Sequence, residues 1–170
     1  MEHWTPVRSV KSQLMECAVD FAVGCRIPTT RASCHITNKK EHLTNFISFK
    51  SAVEGISGTT TISGKGDIIL NVGTQPPTIV DEQLVIKDSF PTQVVLNNVA
   101  LVESSPVNLI SVSAWTDQFP MHNIMIAQDE IKIFDGEKYL ALGKKIGEHR
   151  SGNSWYLVAT VDKTQTAMTL

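Results

Sequence analysis

β-Branched residues dominate this chain of 170 residues. Val, Ile and Thr number 16, 15 and 16, so 47 residues are β-branched, whereas Leu and Ala together number 21. A side chain branched at Cβ loses rotamer freedom in a helix and packs well on the pleated surface of a sheet. The composition therefore predicts a β-rich protein and argues against a helical bundle.

Length and charge narrow the function classes. A chain of this length suits one domain with a sizeable core. Its 15 basic and 17 acidic residues give a net charge of −2 and an isoelectric point near 6.2, without the positive excess that binds a phosphate backbone. No apolar run approaches the roughly 18 residues of a membrane-spanning helix. We therefore expect neither nucleic acid nor a membrane as the main partner.

Three cysteines, Cys17, Cys25 and Cys34, lie near the N-terminus. An odd number at one end of a chain is a poor disulfide framework, and their separations are wider than the spacing of about two to four residues typical of zinc ligands. We expect free, partly buried thiols and neither a metal nor another cofactor. The N-terminus lacks the apolar segment of a signal peptide, so the predicted location is a reducing intracellular compartment, the cytoplasm.

Short apolar segments separated by turn residues continue through most of the chain. Ile68, Leu70 and Val72 share one face of a strand pattern, whereas residues 94–102 are apolar on both faces, as expected for a central strand. Asp135-Gly136 is a strong turn signal. Other predicted strands are 59–62, 79–86, 108–112, 131–134, 138–142 and 155–159, with a short alternation at Ile124 and Ile126 and a short helix over 113–118. The pattern predicts an all-β fold with one or two short helices, arranged as a small barrel or sandwich.

The first 28 residues differ from the rest. Apolar residues with helix-like spacing precede Pro28, which would end a helix: Leu14, Met15, Ala18, Val19 and Ala22. We therefore expect residues 1–28 to be an atypical lead-in, either a short helix or poorly ordered, outside the core. The β domain is predicted over 29–160 and a polar tail over 161–170.

Four segments, in this order, resemble one family. Ala32–Thr37 resembles an Ala-Ser-x-His-Met/Ile-Thr block and Ile62–Gly66 an Ile-x-Gly-Lys-Gly hairpin. Val95–Val99 followed by 106–112 resembles a leucine–valine strand that runs into Asn-Leu-Leu-Ser-Val. The ending, with Ile131–Phe134, then Leu142-Gly143 and Trp155–Leu157, is similar to the segment that follows. The chain from about residue 28 to 160 thus resembles part of Copia-type retrotransposon Pol polyproteins. The resemblance implies a small closed β-barrel of the retropepsin type, the aspartic protease module of the polyprotein.

Retropepsins carry an Asp-Ser/Thr-Gly-Ala motif, and each subunit of a homodimer supplies one Asp. Two carboxylates about 3 Å apart share a proton, so that one activates water while the other donates to the carbonyl oxygen. The matching positions here are Thr29, Thr30, Arg31 and Ala32. Thr29 stands in place of the Asp and cannot act as a carboxylate base, and Arg31 replaces the Gly that permits close approach of the two loops. The resemblance therefore implies a protease-like domain without a catalytic residue.

The residues that follow keep the family pattern. Ser33, His35 and Thr37 match the family block, and we interpret His35 as a structural hydrogen-bonding residue rather than a catalytic one. A second segment resembles the apolar loop that packs under the active site of retropepsins, which predicts a role in fold support: Asn108, Leu109, Ile110 and Ser111.

Other polar residues have simpler interpretations. Asp20 follows two apolar residues, as a catalytic Asp should, but the rest of the motif does not follow it. Asp67 is predicted at a solvated strand start, Asp135 in a hairpin turn, and Gly64-Lys65-Gly66 as a hairpin turn rather than a phosphate-binding loop. The remaining histidines and a modest basic cluster are predicted to lie at the surface: His3, His42, His122, His149, Lys144, Lys145 and Arg150.

Three functions remain open. The first is a retrotransposon-derived, retropepsin-like domain that is catalytically inactive. The second is an active aspartic endopeptidase that processes a Gag-Pol polyprotein as a homodimer, with Asp20 as the candidate acid. The third is a repurposed module that accepts a peptide or protein in its cleft by strand addition. Two Arg31 side chains would repel each other across a two-fold axis, so we expect a monomer or a weak homodimer.

Overall fold

Strands make up most of the chain that the computed structural model describes, namely residues 15–18, 34–55, 58–76, 78–81, 83–85, 92–106, 108–145 and 155–162. They are β1 (Met15–Ala18), β2 (Ile36–Thr37), β3 (Thr44–Gly55), β4 (Gly58–Val72), β5 (Thr78–Val80), β6 (Gln83–Val85), β7 (Thr92–Leu101), β8 (Leu109–Ser111), β9 (His122–Ile126), β10 (Glu130–Asp135), β11 (Lys138–Lys145), β12 (Trp155–Leu157) and β13 (Ala159–Val161). A 3-10 turn covers Lys40–His42 and one helix, α1, covers Val112–Gln118. The predicted all-β class is confirmed.

Eleven of these strands belong to one sheet. Their hydrogen-bonded order is β13-β4-β7-β2-β8-β1-β12-β11-β10-β9, with β3 paired to β4, while β5 and β6 form a separate hairpin. Most neighbours are antiparallel, but β2 runs parallel to β7 and β1 runs parallel to β8. Among the described residues no pairing joins β9 to β13. The sheet is therefore open, and the closed barrel stays a prediction.

The core lies against one face of β4 and β7. Ile68, Leu70 and Leu96 are each 0% exposed, and burial of one such side chain contributes about 1.5–3 kcal/mol. The shared face predicted for residues 68–72 is thus confirmed. β7 is central, as predicted, but buries only one face along its first half, where Val95 is 42% exposed. An apolar sequence alone does not decide burial, because single apolar side chains are common at protein surfaces.

Strand β1 corrects the prediction for part of the N-terminal segment. Met15–Ala18 form neither a helix nor a disordered lead-in but a strand in the interior of the sheet. This strand pairs in parallel with β8 and antiparallel with β12. Partners this distant in sequence decide the conformation of a segment too short for its own periodicity to be informative.

The segment Gly64-Lys65-Gly66 is not a turn. It lies inside β4, a continuous strand of 15 residues, and pairs with both β3 and β7. A Cβ atom placed on Gly64 would lie 2.6 Å from the Ile47 carbonyl oxygen, and one on Gly66 would lie 2.6 Å from the Thr44 carbonyl oxygen. The glycines therefore permit β3 to approach β4 closely, which is the physical reason for two glycines within a strand.

Local turn and helix signals are confirmed elsewhere. Asp135-Gly136 joins β10 to β11, and Gly136 adopts a φ of 60°, the left-handed conformation that glycine permits. The helix predicted over 113–118 is α1. The single strand predicted over 79–86 is instead the β5–β6 hairpin, which turns at Asp81 with a φ of 49°.

Within the described residues, no helix has the length and apolarity needed to cross a membrane.

Asp67 lies within β4 rather than at the start of a strand, at a partly exposed position. Its carboxylate accepts hydrogen bonds from the Asn45 side chain at 3.1 Å and from the Asn98 backbone N–H at 3.2 Å. Both asparagines have positive φ, 52° and 56°, a conformation that Asn tolerates better than most residues. Asp67 therefore holds one left-handed residue of each neighbouring strand by a hydrogen bond. These bonds lie where the register between β4 and β7 shifts, between Gly66 and Ile68.

Candidate functional site

Two segments that the sequence singled out, His35–Thr37 and Asn108–Ser111, meet in the middle of the sheet. Strand β2 lies between β7 and β8, and Ile36 pairs with Ala100 on one side and with Leu109 on the other. Residues adjoining Ile36 are thereby brought next to β8 and to Asn108, which precedes it. The contact consists of two sets of buried hydrogen bonds, one at His35 and one at Thr37.

His35 forms the first contact. Its ring is 1% exposed, and the backbone N–H of Ser111 donates to Nδ1 at 3.2 Å. Since Nδ1 accepts, the proton of the neutral ring resides on Nε2, which has no hydrogen-bond partner among the described residues. Burial lowers the pKa of His35 to about 4 from the ordinary 6.5. The imidazole is therefore neutral at physiological pH and acts as an acceptor for the backbone N–H of Ser111 in β8.

Thr37 forms the second contact. Its hydroxyl donates to Asn108 Oδ1 at 2.7 Å, and the same oxygen atom of Asn108 accepts from the Asn38 backbone N–H at 3.2 Å. The Asn38 side chain in turn donates to the Ser105 carbonyl at 2.9 Å. Because Thr37 is 0% exposed and Asn108 is 5% exposed, loss of either partner removes a buried hydrogen bond, which contributes about 0.5–1.5 kcal/mol.

His42 belongs to this buried network. The prediction that it lies at the surface is wrong, since the residue is 7% exposed and its Nδ1 lies 3.3 Å from the Thr37 hydroxyl oxygen. The Thr37 oxygen therefore contacts both the His42 ring and Asn108. The 3-10 turn of residues 40–42 places the ring there. The sequence around His42 does not predict its burial, because that burial depends on residues near Asn108, far along the chain.

Strand β8, on the other side of the contact, leads directly into α1. Ser111 caps the helix, with its hydroxyl accepting from the Ala114 N–H at 3.1 Å. Ile110 is 1% exposed and packs in the core. Ser111 thereby uses its backbone for His35 and its side chain for the helix, so that one residue joins β2, β8 and α1.

Helix α1 ends in an aromatic cluster. Trp115 is 1% exposed, and its Nε1–H donates to His122 Nδ1 at 3.1 Å. The Phe119 ring stacks on the His122 ring at 4.6 Å between centroids, with 8° between the planes. His122 is therefore half-buried and bonded, which corrects its prediction as a surface residue.

The positions of the catalytic motif lie outside the described part of the chain, as does the alternative acid: Thr29, Thr30, Arg31, Ala32, Ser33 and Asp20. In the described part, no three His, Cys, Asp or Glu side chains are grouped as a metal ion would require. No protein-family model, curated protein or solved structure matches the chain. The buried contact of His35 and Thr37 with Asn108 and Ser111 joins two segments that are far apart in the sequence.

Proposed function

We propose that this chain is a retropepsin-like domain derived from a Copia-type Pol polyprotein and that it has no peptidase activity. One observation supports the family assignment above the others. The two segments with the clearest family resemblance, His35–Thr37 and Asn108–Ser111, are hydrogen-bonded to each other inside an all-β sheet. A segment that packs under an active site should contact the residues that follow the catalytic motif, and these segments do so at two buried positions.

The absence of activity follows from side-chain chemistry. A threonine at position 29 has a hydroxyl that does not ionise at physiological pH, so two copies of Thr29 cannot form the proton-sharing pair of carboxylates. Arg31 adds a bulky cation where the family has glycine. Each change removes a separate requirement of the dyad, the acid in the first case and the close approach of two loops in the second.

Restoring the motif should restore cleavage. We expect the unmodified protein to leave an unstructured protein substrate intact. The double variant Thr29→Asp with Arg31→Gly should cleave it about a hundredfold faster or more, because general acid–base catalysis supplies that order of acceleration. The measurement is product formation by mass spectrometry, with and without a transition-state analogue of aspartic proteases.

The matched control is Thr29→Asn with Arg31→Gly, which changes the same positions without supplying a carboxylic acid. It should stay inactive. Cleavage by the unmodified protein that the analogue inhibits would contradict the proposed loss of activity.

A second candidate, an active aspartic endopeptidase that uses Asp20, is favoured by the position of β1. This strand lies in the interior of the sheet, parallel to β8, and ends at Ala18, two residues before Asp20 in the sequence. A strand that enters the sheet beside the family loop is a reasonable support for a catalytic acid. The motif after Asp20 nevertheless lacks both the hydroxyl residue and the glycine.

The two candidates differ in the response to Asp20→Asn. If Asp20 is catalytic, the unmodified protein cleaves its substrate and this isosteric variant reduces the rate to background, while Thr29→Ala retains it. Under our first proposal neither the protein nor either variant cleaves. Cleavage that Asp20→Asn leaves unchanged would exclude the second candidate.

A further inference from the structure

Strand β9 forms one end of the sheet and carries no charged residue. It pairs with β10 on one side, and among the described residues no strand pairs with its other side. Proteins commonly protect such an edge with Lys, Pro or a bulge, because its free N–H and C=O groups can pair with another strand. None of these occurs in His122–Ile126, and the register with β10 is regular.

The hairpin between β9 and β10 establishes which backbone groups point outward. The Ala127 N–H donates to the Glu130 carbonyl at 2.8 Å. Hydrogen-bonded and non-hydrogen-bonded pairs alternate along an antiparallel ladder, so Met125 directs its backbone groups towards β10. Ile124 and Ile126 direct theirs away from β10, towards the free edge.

The backbone of His122 agrees with this assignment. His122 lies two residues before Ile124, so its N–H also points away from β10. This N–H donates to the Phe119 carbonyl at 3.0 Å. The free edge therefore presents the N–H and C=O groups of Ile124 and Ile126, together with the C=O group of His122. An incoming strand must match this set.

We propose that β9 pairs antiparallel with β9 of a second copy of this chain, about a two-fold axis at Met125. In this register Ile124 of each copy faces Ile126 of the other, and each outward N–H meets an outward C=O. The result is an isologous contact that continues the sheet from one copy into the next. This interface is independent of any dimer formed through residues 29–32.

The position of the axis follows from the hydrogen bond at His122. An axis centred on Ile124 would place Ile126 opposite His122 of the second copy, whose N–H is already bonded to Phe119. The Ile126 carbonyl would then lack a donor. Centring the axis on Met125 avoids this unpaired group.

The side chains of the strand suit a second copy. Met125 is 59% exposed and would contact Met125 of the second copy in a non-hydrogen-bonded pair, where side chains approach most closely. Asp129 falls opposite Met121, so no two like charges face each other. Ile124 and Ile126 pack against the core, and the added strand extends their apolar face. The backbone groups and the side chains of β9 therefore both complement β9 of a second copy.

The test uses charge at the proposed axis. We expect the unmodified protein to show a concentration-dependent monomer–dimer equilibrium in sedimentation velocity. Met125→Lys and Met125→Glu should each weaken the dimer on the order of tenfold, because like charges then face each other. An equimolar mixture of the two variants should restore the dimer. The control Val95→Lys, at a position on β7 that is also exposed, should leave the equilibrium unchanged.

Three results would overturn the proposal. One is a protein that stays monomeric at every concentration, and another is a dimer that survives both substitutions. The third is a mixture of the two variants that remains monomeric although circular dichroism shows both to be folded. If the monomeric protein instead binds a synthetic peptide of residues 121–129, the edge accepts extended peptides but does not join two copies.

Discussion

Gly64→Ala is expected to lower the free energy of unfolding by about 3 kcal/mol, the range of severe overpacking. The added Cβ would lie 2.6 Å from the Ile47 carbonyl oxygen and against the Phe46 ring. The Phe46 ring packs against the core, and Ile47 belongs to β3, which pairs with β4 at this point. The backbone of β3 therefore cannot retreat without disrupting the pairing. Urea denaturation of the variant and the unmodified protein measures the difference.

Gly136→Ala is the matched control. Gly136 has a φ of 60°, but no atom lies within 4 Å of the added Cβ, so its cost is the left-handed backbone alone, about 1 kcal/mol. A smaller loss at Gly136 than at Gly64 would assign the effect to close strand approach. Equal losses, or an unchanged stability for Gly64→Ala, would contradict the packing of β3 on β4.

Lowering the pH from 6.5 to 4 is expected to reduce the free energy of unfolding by about 3 kcal/mol through His35 alone. Burial lowers the pKa of His35 to about 4 in the folded protein, against 6.5 in the unfolded chain. Above pH 6.5 the ring is neutral in both the folded and the unfolded protein, so its titration does not lower the free energy of unfolding. As the pH falls from 6.5 towards 4, only the unfolded chain takes up the proton, so stability is lost.

The window from pH 6.5 to 5 separates His35 from the acidic residues. Hydrogen bonds from Lys132 and Lys144 hold the pKa of Glu130 below its ordinary 4.5, so the contribution of that carboxylate is lost only at lower pH. Denaturation at several pH values should show about 2 kcal/mol of loss within the window.

Two variants of His35 make this pH experiment specific. His35→Asn keeps an acceptor for the Ser111 N–H but cannot titrate, so its stability should be nearly constant through the window. His35→Leu should also lack the pH dependence and be less stable than His35→Asn at pH 7, by about 1–3 kcal/mol, because it leaves the buried N–H unpaired. A slope that persists in both variants would show that another group causes it.

Features of the sequence that act over a few residues predicted the corresponding structure well. The alternation of Ile68, Leu70 and Val72 places them on one buried face, and Asp135-Gly136 forms the turn of a hairpin. These features succeed because side-chain direction in a strand and the backbone freedom of glycine are local properties. The β-branched excess predicted the all-β class for the same reason.

The errors share a different origin. Gly64-Lys65-Gly66 has the composition of a turn, yet its glycines serve the approach of a second strand. Met15–Ala18 has helix-like spacing, yet two strands from the other half of the chain pair with it. In each case the deciding partner lies outside the segment, and no local pattern encodes it.

By itself the sequence determined the all-β class, several strands, the helix α1 and the resemblance that motivates the proposed function. The bond of His35 to Ser111, the buried network of Thr37 and His42 with Asn108, and the place of β9 at one end of the described sheet appear only in the folded chain. The physical reason is that strand pairing and the burial of polar groups depend on residues brought together from distant parts of the chain, whereas composition and alternation report only what each segment favours on its own.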